Sequence, residues 1–367
     1  ALGIDPSAKL FFVDALHLAD RYVPSFPPSY GALISQITAG MPLSEVKLTL
    51  MSNYPDEYPV RLVHAAGTNQ QEVEELPLYA LDHSPKVGLM STLYIPPWEE
   101  NRSFEDFQEI IARLRAPDGC PWDREQTHLS LRPYLLQEAY EVLEALDHED
   151  MMELQEELGD LLLQIVLHAQ IATEEGDFNM TDVLQSISRK LIRRHPHVFG
   201  DVQVNSVDNV VQNWEKIKAE ERKENGKAHH NGMLDGIPLA LPALTQADQI
   251  QRRAQRIGFD WKTIEPVIAK VNEELEELLK AQTPEERQAE GGDLLFAVVN
   301  LLRWLEIDPE TALRECNLRF RQRFAFIEAA AANQGKNVDA LSFEQMDALW
   351  EQAKQALKEQ DQGEETA

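Results

Sequence analysis

The chain has 367 residues, 43% hydrophobic and 26% charged, which is enough for two or three domains with cores of their own. Its 63 acidic residues outnumber 34 basic ones, a formal charge of −29 that repels phosphate backbones and excludes general nucleic-acid binding. No apolar run approaches the roughly 18 residues that cross a bilayer, so no membrane partner is expected, and two cysteines (Cys120, Cys316) point to a reducing cytoplasm rather than a disulfide framework.

Residues 1–98 are proline-rich and carry short strand-like runs, Val46–Leu50 and Val60–Ala65, the second followed by the turn signal Gly67-Thr68-Asn69. They predict a small α+β piece that ends at Tyr94-Ile95-Pro96-Pro97-Trp98, where the prolines suit a linker. From about Phe104 the pattern turns helical, with apolar residues at i, i+3, i+4 and i+7, as in Ser186–Arg194 and Val267–Lys280. The stretch from Gly226 to Gly232 breaks this pattern and reads as an interdomain linker. Helices resume beyond Ala243 and run to about Lys358, with a polar, frayed tail from Glu359. The fold class is therefore mainly α, two helical bundles behind a small N-terminal α+β fragment.

The two helical segments repeat one another at a spacing of roughly 130 residues. Glu138 and Glu141 correspond to Glu274 and Glu277, and Glu157 and Asp160 to Glu290 and Asp293. Lys190 and Arg194 correspond to Arg319 and Arg323, and Trp214 to Trp350. Residues three apart on a helix lie about 60° apart and share a face. If consecutive helices pack antiparallel, each repeat gathers four carboxylates in one small volume, which is unfavourable without a cation. Oxygen-only ligands of this kind suit Mg²⁺, with Mn²⁺ as the alternative, and such an ion accepts phosphate oxygens as further ligands. A single acidic pair means little among 63 acidic residues, but the same quartet occurring twice, each time just before an apolar helix, points to metal ligation. Arg319 and Arg323 are i,i+4 neighbours able to grip a triphosphate, and Trp350 is either a core aromatic or a base-stacking one.

Cys120-Pro121-Trp122-Asp123-Arg124-Glu125-Gln126-Thr127, the paired acids, Arg193-Arg194-His195-Pro196-His197-Val198-Phe199 and Gly258-Phe259-Asp260-Trp261 resemble the MazG family. The resemblance covers residues 104–358 and places one module at 104–228 and a second at 233–358. It implies tandem all-α nucleoside triphosphate pyrophosphatase bundles that cleave an NTP or dNTP to the monophosphate and pyrophosphate for nucleotide pool clearance. It also implies a homodimer. Carried over by position, Glu274, Glu277, Glu290 and Asp293 bind Mg²⁺ and form the catalytic centre, and Glu138, Glu141, Glu157 and Asp160 are the matching metal set. Lys270, Arg319 and Arg323 hold phosphates, Trp350 contacts the base, and Asn300 and Asn317 complete the substrate site. The first repeat has Leu167 and Ser188 at the positions of Asn300 and Asn317, so the second site ranks as the more complete. Where relatives carry a lysine before the second acidic pair, this chain has Glu286 and Arg287.

Residues 1–98 resemble the C-terminal subdomain of a tetrapyrrole (S-adenosylmethionine-dependent) methylase, on Glu45–Leu50, Tyr54-Pro55-Asp56, Ala65–Thr68 and Leu93–Pro97. The Gly-rich half that shapes the cofactor cleft is absent from the sequence, so methyl transfer is not expected of it. Two alternatives stay open: a nucleotide-binding regulatory module with little turnover, and a fragment of a bifunctional methyltransferase.

Overall fold

The structure is a computed structural model that describes residues 2–4, 9–88, 91–98, 102–224, 232 and 234–364. They fall into two compact units, 1–190 and 191–367. Most of the Gly226–Gly232 stretch, expected to be a linker, lies outside the described residues.

The first unit opens with β1 (Leu10–Asp14), α1 (Ala15–Ala19), β2 (Gly31–Ile37), α2 (Leu43–Met51), β3 (Pro59–His64), β4 (Glu72–Pro77) and β5 (Ser91–Ile95). The strand order is β1-β2-β5-β3-β4, with β1 and β2 parallel and every other neighbour antiparallel. Leu18, Ile34, Val46, Leu50, Leu62, Leu81 and Ile95 form its core.

One expectation is corrected here. Val46–Leu50 is helical rather than a strand, because Leu43, Val46 and Leu50 recur with helical period on the buried face of α2, with Glu45 in its first turn. Tyr94 and Ile95 end a central strand, pairing with Leu33 and Ala32 on β2. Trp98, after the two prolines, packs on Tyr54 and Tyr58.

The helical part of this unit comprises α3 (Phe104–Arg115), α4 (Pro121–Glu125), α5 (Arg132–Asp147), α6 (Met151–Glu175) and most of α7 (Met180–Arg194). α5 and α6 form a hairpin, and Asp150 starts α6 by accepting the backbone N–H groups of Met152 and Glu153. α3 packs on α6 around Ile111, Leu131, Val166, Leu167 and Ile171. Gly119 has no room for a Cβ, which would lie 2.3 Å from the Leu114 carbonyl oxygen, and this permits the tight entry to α4. Arg115 fixes that entry by donating to the carbonyl oxygens of Asp123 and Gln126 while pairing with Glu174 at 2.7 Å.

The second unit holds α8 (Pro196–Phe199), α9 (Val207–Glu224), α10 (Ala243–Arg256), α11 (Glu265–Lys280), α12 (Pro284–Trp304), α13 (Pro309–Asn333) and α14 (Phe343–Glu364). α14 continues past the expected end at Lys358. α11 and α12 form the counterpart of the α5–α6 hairpin, α10 packs on α12, and α14 packs on α13. α12 starts in a capping box: Thr283 accepts from the Glu286 N–H, and the Glu286 carboxylate accepts from the Thr283 N–H. Glu286 is thereby spent on the helix start, and Arg287 donates to the Ala281 carbonyl oxygen.

Candidate active site

In the second hairpin, α11 carries Glu274 and Glu277 one turn apart, and α12 carries Glu290 and Asp293 in the same relation. Carboxylate oxygens of Glu274, Glu277 and Glu290 lie within 4.8 Å of one another. Glu274 is only 6% exposed, and its Oε1 is 2.7 Å from the Lys270 ammonium, which also pairs with Glu273 at 2.9 Å. Those two carboxylates hold Lys270 above its ordinary range. Burial first, then the charges of Glu277, Asp293 and Glu274, push Glu290 up. Acids drawn from two facing helices, with all donors hard oxygens, fit Mg²⁺ or Mn²⁺.

A cavity of about 560 Å³ adjoins this cluster. Lys270, Glu274 and Asp293 stand at its polar side, and Ile250, Phe259, Trp261 and Phe296 make apolar walls. Asn300 and Arg303, both buried, also line it. Arg303 donates to Oδ1 of Asn300 at 2.7 and 3.0 Å and to Oδ1 of Asp260 at 2.8 Å, and Asp260 accepts as well from Nε1 of Trp304 at 3.2 Å. The loop bearing Phe259 and Trp261 is thus tied to α12. Gly258 permits that loop to leave α10 with φ +85°, in the left-handed region. The sequence offers Phe259, Asp260 and Trp261 only as a motif and gives Arg303 no signal.

The first hairpin repeats the acids but not their surroundings. Oxygens of Glu138, Glu157 and Asp160 lie within 4.8 Å of one another, and Glu141 is hydrogen-bonded by Gln137. Burial, then the Glu141 hydrogen bond and the charges of Glu141, Asp160 and Glu157, push Glu138 up to about 7. Tyr134 occupies the position of Lys270, packed edge-on against Trp122, so no ammonium stands there. Leu167, at the position of Asn300, is core.

The remaining residues expected at the substrate site sit elsewhere. Asn317 and Arg319 are exposed on α13, Arg319 facing Glu315 at 3.5 Å. The Arg323 guanidinium lies 5.4 Å from the Trp350 ring, and Trp350 packs on Phe320 and against the small core of Ile327, Ala331 and Leu341. None of these four lines the 560 Å³ cavity. The first repeat reproduces the arginine–tryptophan contact, Arg194 lying 5.8 Å from the Trp214 ring.

The family model of the MazG nucleotide pyrophosphohydrolase domain matches residues 126–199, the segment carrying Glu138, Glu141, Glu157 and Asp160. Over 362 residues the chain is 43% identical to an uncharacterised protein, YabN, of Bacillus subtilis (strain 168), covering 96% of this chain and 73% of that protein. It is 47% identical over 251 residues to the nucleoside triphosphate pyrophosphohydrolase/pyrophosphatase MazG of Thermotoga maritima, covering 68% of this chain and 95% of that enzyme. A nucleoside triphosphate pyrophosphohydrolase of Escherichia coli (strain K12) is also 47% identical, over 255 residues covering 67% of this chain and 94% of that enzyme.

Proposed function

The chain belongs to the MazG family of nucleotide pyrophosphohydrolases, and from that premise we propose that its second hairpin hydrolyses nucleoside triphosphates to the monophosphate and pyrophosphate. The observation that carries this reading is the junction of the Glu274, Glu277 and Glu290 carboxylates and a lysine with an apolar cavity of about 560 Å³ that Asp293 also lines. A nucleoside triphosphate has that polarity, with a polyanion at one end and a flat, largely apolar base at the other.

Glu274, Glu277, Glu290 and Asp293 would hold Mg²⁺ (or Mn²⁺), which supplies charge neutralisation on the phosphate oxygens and on the leaving pyrophosphate. The quartet orients a water in line with the α-phosphorus, and one of its carboxylates accepts the proton as the new P–O bond forms and the bond to pyrophosphate breaks. Lys270 moves its hydrogen bonds from Glu274 and Glu273 to phosphate oxygens. Val267 and Phe296 keep bulk water from the nucleoside end of the cavity.

Asn317, Arg319, Arg323 and Trp350 lie outside the cavity within one chain, so their contact with phosphates and base requires a second surface to approach. A homodimer would supply it, and exposed Leu275 and Leu279 on α11 with Leu295 on α12 support such an interface. Light scattering of the purified chain tests this, with a mass of one chain counting against it. We place the modules at 104–228 and 233–358, behind an N-terminal piece at 1–98 that resembles a methylase subdomain. Among the described residues no helix is long and apolar enough to cross a membrane, and pool clearance in the cytoplasm is the setting we propose.

The test is to incubate the chain with the eight common NTPs and dNTPs, with Mg²⁺ and then with EDTA, and to identify the products. Monophosphate and pyrophosphate, absent in EDTA, are expected. Diphosphate and orthophosphate would overturn the chemistry, and tight nucleotide binding without turnover would favour a regulatory binding module.

A further inference from the structure

The cavity beside the second quartet holds a buried guanidinium that the reaction does not use. Arg303 is 6% exposed on the apolar helix α12, and its partners are Asn300 and Asp260. A guanidinium has donors only. Two donations from Arg303 therefore fix the rotation of the Asn300 side-chain amide, with Oδ1 turned to Arg303 and Nδ2 turned away from it. Both of these bonds are made at Oδ1, and Asn300 lines the cavity, so Nδ2 is the end of the amide that they leave for a ligand. Asn300 follows Asp293 by two helical turns, so it lies on the same side of α12, about 10 Å further from the carboxylates. At that depth the walls are Phe259, Trp261 and Phe296, which suit a base more than a phosphate.

We propose that Arg303 is a positioning residue that sets Asn300 as a fixed hydrogen-bond donor to the nucleobase, so that the second module selects its substrate by base. This rests on the reading of the cavity as a nucleoside triphosphate site. A base presenting a carbonyl oxygen or an unprotonated ring nitrogen to Nδ2 is accepted. One presenting an N–H there leaves two donors facing each other and is rejected, since Arg303 prevents the amide from turning over. Asp260 gives the same guanidinium a second task, because its bonds to Arg303 and Trp304 hold the aromatic wall in register with Asn300. The first module lacks the device: Leu167 stands for Asn300, and Gln170 stands for Arg303 and bonds Glu174.

The test is a double-mutant cycle on kcat and KM for ATP, GTP, CTP, UTP and their deoxy forms, using the whole chain with Mg²⁺. Arg303→Lys keeps the charge and its pairing with Asp260 but loses the fork, and Asn300→Leu copies the first module. Each single variant is expected to narrow the spread of kcat/KM among bases about tenfold, mainly through KM, with no further narrowing in the double variant. The ratio of ribo to deoxy substrates should stay unchanged. Asn300→Asp, which keeps the shape and the pairing with Arg303, should reverse the order of bases, and it guards against misfolding of the other variants. Equal losses for all bases, multiplying effects in the double variant, a change confined to the sugar ratio, or an unaltered order in Asn300→Asp would each overturn the proposal. So would a wild type indifferent to base. A wild type that turns over no nucleotide removes the pyrophosphohydrolase reading and this one with it, whereas turnover with unshifted base ranking in the variants removes only this one.

Discussion

The Lys270 ammonium lies 2.7 Å from a carboxylate oxygen of Glu274, one turn further along α11 and 6% exposed. Lys270 is the chain's own counter-charge to its second acidic quartet. Under the proposed function a divalent cation would take that place and leave the lysine to a phosphate.

Lys270→Met follows from that relationship. Without nucleotide, removing the ammonium removes a competitor for the carboxylates, so Mg²⁺ should bind at least as tightly. With nucleotide, a charge-assisted bond is lost, and KM should rise about tenfold or more. Calorimetry for metal and steady-state kinetics separate the two. Weaker Mg²⁺ binding with an unchanged KM would show that Lys270 serves the metal ligands rather than the substrate.

Glu138 gives a pH dependence to the metal-free first hairpin. Its folded value, about 7, lies above its unfolded value of 4.5. The native state therefore binds more protons than the unfolded state between those values, and stability is lost as pH rises through the window. In EDTA, Glu138→Gln should melt above the wild type at about pH 8, with the gap closing by about pH 5. Added Mg²⁺ at the higher pH should reverse the order, since only the wild type keeps the full ligand set. A gap independent of pH would place the effect in packing.

Thr283→Ala removes one side of the capping box that starts α12. A loss of about 1 kcal/mol is expected from urea unfolding, and Thr283→Ser should recover most of it. Because Glu286 also caps the chain there, a change much smaller than this would mean that the Glu286 half suffices.

Leu167→Asn places in the first repeat the residue that the second uses. Leu167 is 2% exposed among Ile111, Leu131, Val166 and Ile171, and Gln170 rather than an arginine follows three residues on. A cost of roughly 3 kcal/mol is expected in urea unfolding, with no gain of base discrimination. A neutral substitution would show that the position opens onto a cavity as Asn300 does.

Much of the second site was legible because helical period converts spacing directly into shared faces. Glu274 with Glu277, and Glu290 with Asp293, needed only the three-residue step, whereas Asn300 came from the family resemblance. Val46–Leu50 reads as a strand because β-branched residues and leucines in a short run look alike in strand and helix, and which of them are buried decides between the two. Arg303 left no periodic signal at all. Its meaning comes from Asp260, 43 residues away, and only the packed α12 brings them together. The position of Trp350 was likewise beyond spacing, since correspondence between repeats says which residues are equivalent but not which cavity they face.

The most direct measurement compares pyrophosphate release by two double variants under Mg²⁺: Glu138→Gln with Asp160→Asn in the first hairpin, and Glu277→Gln with Asp293→Asn in the second. The first should keep most of the wild-type rate, and the second should lose it by at least about a hundredfold, as expected when metal ligands are removed from the reacting centre. The opposite pattern would place turnover in the first hairpin, where the match to the family model lies, and would contradict the assignment of the active site to α11 and α12.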